Sequence, residues 1–203
     1  MTQISDIPSG RTARFQTAGV AIIEDVLSGD DLAAMDVAFP ILPQKVAGAR
    51  ALDFTPDAVN WLTCHEGLLE LAGLLAHAPV RVCRVLAFDK SSGTNWFVPW
   101  HQDRAEDGRD RPVVQLERMV ALRVHLDDCD EDNGPLEVVP GSHTQGRLES
   151  REMAAVTGGS ATLICLAARG DIVALRPLLV HRSQRARLPR ARRVLHIEYQ
   201  PVH

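Results

Sequence analysis

Pro79 divides the chain into two textures. Ahead of it, the apolar residues of "HEGLLELAGLLAHAP" recur at helical spacing. Leu68, Leu71, Leu74 and Leu75 fall on one stripe, which predicts a helix that Pro79 ends. Further upstream, "LSGDDLAAMDVAF" sets Ser28 three residues before Asp31, the spacing of a capping box, and Leu32 and Met35 then recur at helical spacing. After Pro79 come short runs rich in β-branched residues: "VRVCRVLAF", "RMVALRVHL", "PLEVV", "ATLICL", "DIVALRPLLVH" and "RRVLHIEYQ". Turn signals separate them, at 132–135 (DNGP), 140–143 (PGSH), 158–159 (GG) and 169–171 (RGD). Within that region "MAAVTGG" reads as one helical turn, and 104–117 as a polar loop over one mouth.

Helices first and strands afterwards predict an α+β chain. Its core is expected to be a double-stranded β-helix (jelly-roll, cupin-like) with flanking N-terminal helices. A chain of 203 residues suits one well-buried domain, 1–203. The net charge of −4 disfavours a nucleic-acid surface, and no run of about 18 apolar residues suggests a membrane span. Cys64, Cys83, Cys129 and Cys165 are widely spread with no C-x-x-C pair, and the first residues lack a secretory pattern. Reduced thiols and a cytoplasmic location are the expectation.

The chemistry starts at "VPWHQD". In an extended segment, side chains at i and i+2 share a face, so His101 and Asp103 point together, about 7 Å apart along the strand. His181, at the end of the apolar run "IVALRPLLVH", is the best candidate for a third ligand. Two histidines and one carboxylate leave positions open for a co-substrate and O₂, which suits non-haem Fe(II); zinc takes the same ligands. Arg192, eleven residues past His181, is expected to begin the next strand, antiparallel to the one bearing His181. Its guanidinium can hold a carboxylate bidentately, with Ser183 adding a hydroxyl. The neighbouring Arg193 would face the other way. Open metal positions beside a carboxylate clamp point to a dicarboxylate.

"VPWHQD", "LDDCDEDNGPLEVVPGSH" and "HRSQRARLPRARRVLHIEY" together resemble the phytanoyl-CoA dioxygenase family of Fe(II)- and 2-oxoglutarate-dependent oxygenases, and "FQTAGVAIIEDVLSGDDL" resembles the family's N-terminal segment. The resemblance implies that His101, Asp103 and His181 bind Fe(II). It implies that Arg192 and Ser183 hold the distal carboxylate of 2-oxoglutarate, and that O₂ is consumed as a small-molecule substrate is hydroxylated, releasing succinate and CO₂. Where the family often carries Asn five residues after the distal histidine, this chain has Ala186. A cupin-type metalloenzyme that is not an oxygenase and a catalytically silent ligand-binding member are the alternatives.

Other residues are weighed against plain structural roles. Asn95 and Trp96 precede the metal motif and are candidates to touch 2-oxoglutarate, though Trp96 also suits the core. Alternation in "RMVALRVHL" puts Leu122, Val124 and Leu126 on one face and Ala121, Arg123 and His125 on the other. Arg123, His125 and Arg84 are therefore substrate candidates, against interior salt bridging. With Arg192 inward, Val194, His196 and Glu198 face in as well, while Leu195, Ile197 and Tyr199 pack under the helices. The D-x-D-x-D spacing of Asp128, Asp130 and Asp132 lacks the glycine and glutamate of a calcium loop and reads as a hairpin tip. Arg182, Arg185, Arg187 and Arg190 form a cationic stretch that suits an anionic substrate or a solvated loop. The short segment after "HQD" points to an open mouth and a large or carrier-bound substrate.

Overall fold

The computed structural model describes residues 9–40, 48–50, 54–90, 95–103 and 111–202. The opening helices are set by their ends. Helix α1 (Ser9–Ala18) turns through Gly19, at φ 76°, into strand β1 (Val20–Ile23). Helix α2 (Gly29–Ala38) carries the expected capping box: Asp31 N–H donates to Ser28 Oγ at 3.1 Å, and Ser28 N–H donates to the Asp31 carboxylate at 2.8 Å. Strand β2 (Gly48–Arg50) follows. Helix α3 (Pro56–Cys64) is capped by Thr55 with a proline in its first turn. In helix α4 (Glu66–Ala76) the cap is His65, whose Nδ1 accepts from Leu68 N–H at 3.2 Å. That helix ends in a left-handed residue, His77, two positions before Pro79.

Helices α1 and α3 go beyond the sequence expectation; α3 buries Ala58 and Leu62, with Val59 and Trp61 packed against the same core. The α4 stripe is narrower than expected. Leu68, Leu71 and Leu75 are fully buried, whereas Leu74 is 38% exposed.

The remaining elements are β3 (Val80–Asp89), β4 (Val98–His101), α5 (Val113–Leu116), β5 (Val120–His125), β6 (Leu136–Val138), α6 (Ser150–Gly159), β7 (Leu163–Cys165), β8 (Ile172–Leu175), β9 (His181–Ser183) and β10 (Arg193–Pro201). They form two antiparallel sheets, one ordered β1-β8-β5-β10-β3-β2 and the other β4-β9-β6-β7. The fold is α+β with a jelly-roll core.

Alternation along the strands builds two apolar layers. Leu122, Val124, Leu195, Ile197 and Tyr199 join Leu62, Leu68, Leu71 and Leu75 between the large sheet and the helices. The opposite faces, with Ala121, Val173 and Leu175 from one sheet and Leu136, Val138 and Cys165 from the other, fill the space between the sheets. Each fully buried leucine contributes about 1.5–3 kcal/mol, so these layers fix the register of β5 and β10.

Several local expectations are corrected. "IVALRPLLVH" is not one strand: β8 ends at Leu175, the chain turns through Pro177, and His181 opens β9 in the other sheet. Pro177 has no N–H for a ladder, so the strand breaks there. Arg192 lies just ahead of β10, which pairs with β3 and β5; β9 pairs with β4 and β6. Arg192 and His181 therefore come from facing sheets and not from adjacent strands. Gly158 and Gly159, expected as a turn, close the ten-residue α6. Residues 104–110 of the expected mouth loop lie outside the described residues, and the end of that loop forms α5, with Leu116 buried.

The acidic run and the cationic stretch largely answer one another. Arg187 pairs with Asp132 and Arg190 with Asp130, while Arg182 pairs with Glu137. The cysteines are free thiols. Among the described residues no helix is long and apolar enough to cross a membrane.

Candidate functional site

Two backbone ties bring the sequence-predicted triad together. His101 and His181 face each other across the β4–β9 pair, their ring centroids 4.1 Å apart. Asp103 follows β4, and its N–H donates to the carbonyl of Pro177 at 2.9 Å, fastening it to the turn that leads into β9. Between them Gln102 points the other way. Its amide donates to Gly146 and Leu178 carbonyls at 2.8 and 2.7 Å and accepts from Leu148 N–H at 2.9 Å. Trp100 also lies off the triad face, with the Arg182 guanidinium 4.5 Å from its ring centre.

Each histidine donates its Nδ1–H to the carbonyl two residues back, His101 to Pro99 and His181 to Leu179, both at 2.9 Å. That fixes the tautomer and leaves each Nε2 lone pair for a ligand. The Nε2 atoms stand 3.9 and 3.6 Å from Asp103 Oδ1, and ligand atoms of all three residues lie within 4.8 Å of one another. Burial pushes the His181 imidazole down to about 3, so it is neutral at neutral pH. Burial also works to raise Asp103, but His181, His196, His101 and Arg123 outweigh it and hold the carboxyl at about 2. Asp103 Oδ2 is buried with no hydrogen-bond partner among the described residues. Two imidazoles with their Nε2 atoms turned inward and a carboxylate with one orphaned oxygen, converging on one point, fit a divalent metal ion.

Around Arg192 and Ser183, the expected carboxylate anchor, the structure gathers one more cation than the sequence indicated. Arg192 is buried and donates to the Gly134 carbonyl, with Ser183 Oγ at 3.5 Å. Lys90, missed in the sequence, is fully buried: its Nζ donates to Ser183 Oγ at 3.0 Å and to the Gln184 carbonyl. Desolvation, aided by the nearby Arg192 charge, lowers Lys90 to about 7. Two adjoining buried cations thus donate to a hydroxyl and carbonyls, with no carboxylate partner among the described residues. The arrangement favours an incoming anion. The signal for Lys90 was a lysine closing the apolar strand "VLAFDK", which reads as solvent-exposed until the fold covers it.

The remaining candidates divide. Arg193 points outward to Asp127 and Asp36, which leaves Arg192 as the inward residue. Asn95 spends its amide on the backbone of Ala186, donating to the carbonyl at 2.9 Å and accepting from N–H at 2.7 Å. Trp96 lies beside the anchor, its ring centre 5.6 Å from Lys90 Nζ. Arg123 faces the interior, 5.4 Å over the Phe88 ring, and burial lowers its pKa against the pull of Asp103. Burial, with Arg192 and Arg123, takes His125 down to about 3. Arg123 Nη1, His125 Nδ1, Arg192 Nε and His196 Nδ1 are buried without hydrogen-bond partners among the described residues. Arg84 donates to Glu198 at 3.0 Å, and His196 Nε2 lies 3.3 Å from the same carboxylate.

Residues 64–194, which hold the triad, Lys90 and Arg192, match the family model described as phytanoyl-CoA dioxygenase (PhyH). The chain belongs to the phytanoyl-CoA dioxygenase family. A relative in sequence is the L-proline trans-4-hydroxylase of Streptomyces griseoviridis, 38% identical over 86 residues, which span 40% of this chain and 30% of that protein. In structure, this family member resembles AviO1 from Streptomyces viridochromogenes, with a TM-score of 0.77 and 25% identity over 98% of this chain and 96% of that one. It shares its fold with EctD from S. alaskensis, solved with 2-oxoglutarate and 5-hydroxyectoine, at a TM-score of 0.79 and 20% identity over 97% and 77% of the two chains.

Proposed function

We propose that this protein is an Fe(II)- and 2-oxoglutarate-dependent dioxygenase that hydroxylates a small molecule and releases succinate and CO₂. The observation that carries the reading is the pairing of two sites in one interior. The Nε2 atoms of His101 on β4 and His181 on β9 converge with the carboxylate of Asp103, just past β4, and the buried cations Lys90 and Arg192 meet at Ser183, two residues beyond His181. One molecule with an oxo-acid end and a distal carboxylate suits both.

In this reading His101, Asp103 and His181 hold the metal, and Lys90, Arg192 and Ser183 bind the distal carboxylate. Bound there, Fe(II) supplies the oxidative decarboxylation of 2-oxoglutarate that powers hydroxylation. The chain's own contribution is orientation. The Nδ1 hydrogen bonds lock both imidazoles, and the tie from Asp103 N–H to the Pro177 carbonyl sets the carboxylate. Asn95 fastens the segment ahead of β4 to Ala186 beyond β9. Arg123 and His125 present unpaired donor and acceptor atoms to the same interior.

The test is formation of succinate from 2-oxoglutarate under O₂ with added Fe(II), with and without candidate substrates. Succinate that depends on all three supports the proposal. Intact metal binding with no succinate favours a non-oxygenase metalloenzyme or a silent binding member.

A further inference from the structure

A cleft opens at the end of β10 opposite the anchor. Its volume is about 650 Å³, inside the roughly 300–1,000 Å³ of small-molecule sites. Arg81, the second residue of β3, lines it opposite Gln200, near the end of β10, and Val202 follows that strand. Pro112, Val114 and Arg118 line the other wall, from α5 and its flanks. Val113 and Leu116 of α5 pack against Met119 and Leu178, so the opposite side of that turn is left to the cleft. Arg118 N–H donates to the Gln115 carbonyl at 3.2 Å and continues the turn, which puts Val114 and Arg118, four residues apart, on that side together.

Charge in the cleft is one-sided. The chain has a net charge of −4, yet both charged residues lining the cleft are arginines, and neither closes an ion pair among the described residues. Exposed arginines elsewhere meet acids, as Arg187 meets Asp132 and Arg169 meets Asp36. Arg81 is held instead by a neutral group. With its amide oxygen turned to the strand partner, Gln200 accepts from Arg81 Nε at 2.9 Å and from Nη2 at 2.6 Å. That fixes the guanidinium without neutralising it and leaves its other N–H groups to a further acceptor. Beside the two cations, Val114 is 66% exposed and Val202 42%.

We propose that this cleft is a second ligand site, separate from the metal and the 2-oxoglutarate anchor, and that it takes a phosphate monoester carried on a small apolar body. Two guanidinium groups with no acid between them favour a dianion, and their forked donors match phosphate oxygens. The exposed valines and Pro112 offer a wall to the apolar part. An ammonium group would be repelled by both arginines, and a neutral hydrocarbon would leave them unused. The claim concerns binding at this cleft and is independent of the reaction at the metal.

The experiment is calorimetric titration of the Zn(II)-loaded protein with phenyl phosphate, set against inorganic phosphate, phenylacetate and benzyl alcohol. Phenyl phosphate is expected to bind about tenfold or more tightly than each of the others, and more weakly as salt is added. Arg81→Met and Arg118→Met should each weaken it by about tenfold, with melting temperature and Zn(II) content unchanged. Arg185→Met makes the same charge change at an exposed position outside the cleft and should leave the affinity as it was. Saturating 2-oxoglutarate should not displace the probe, whereas a phosphate bound at the metal or the anchor would be displaced. No binding of phenyl phosphate, equal or tighter binding of any comparison compound, unchanged affinity in Arg81→Met and Arg118→Met, equal weakening in Arg185→Met, or displacement by 2-oxoglutarate overturns the inference.

Discussion

Lys90 Nζ lies 3.0 Å from Ser183 Oγ, inside a wall that also holds the Arg192 guanidinium. The lysine directly follows β3 and the serine ends β9, so the hydroxyl joins the two sheets at the point where charge is concentrated. Burial leaves Lys90 at about 7, within the working range of most assays. Below that pH both anchoring groups are cationic; above it only Arg192 is. Affinity for 2-oxoglutarate should therefore fall as pH rises through about 7, by at most about tenfold per unit. Titrations of the unaltered protein and of Lys90→Met at pH 6, 7 and 8 check this, and the variant should bind weakly with a flatter profile. An identical slope in both would remove Lys90 from the anchor.

Removing a triad residue should abolish metal retention without unfolding the chain, because the triad closes no apolar layer. Asp103→Ala and His181→Ala are each expected to lower Fe(II) affinity by about 100-fold or more. Metal content after equilibrium dialysis against a weak chelator reads this directly. Full retention in either variant contradicts the assigned ligand set.

Arg192 and Arg193 are adjacent but face opposite ways, which makes them a matched pair of tests. Arg192→Ala should keep the metal and raise the 2-oxoglutarate requirement by about 10- to 100-fold, the scale of lost charge-assisted hydrogen bonds. Arg193→Ala removes partly exposed contacts to Asp127 and Asp36, so it should cost up to about 1 kcal/mol of stability and leave the KM for 2-oxoglutarate unchanged. The reverse pattern would mean that β10 is in the other register.

The narrowed stripe of α4 also has a measurable consequence. Leu71→Ala should destabilise the fold by about 2–5 kcal/mol, because the fully buried side chain leaves a cavity between the helix and the large sheet. Leu74→Ala, at a partly exposed site, should cost under about 1 kcal/mol. Urea denaturation of the two variants separates these outcomes, and equal losses would mean that Leu74 is part of the core.

Much of this protein was legible before any coordinates. Spacing of two put His101 and Asp103 on one face, and alternation in β5 and β10 sorted Arg123, His125, His196 and Glu198 inward from Leu122, Leu195 and Tyr199. Those are local consequences of backbone geometry, so the chain states them by itself. What only the tertiary structure decided is pairing and burial. It put His181 at the start of a strand in the opposite sheet from Arg192, buried Lys90 beside Ser183, and closed Arg84 onto Glu198. Each depends on segments far apart in sequence, in two cases about a hundred residues, and the environment of a side chain is set by what folds over it rather than by its neighbours along the chain.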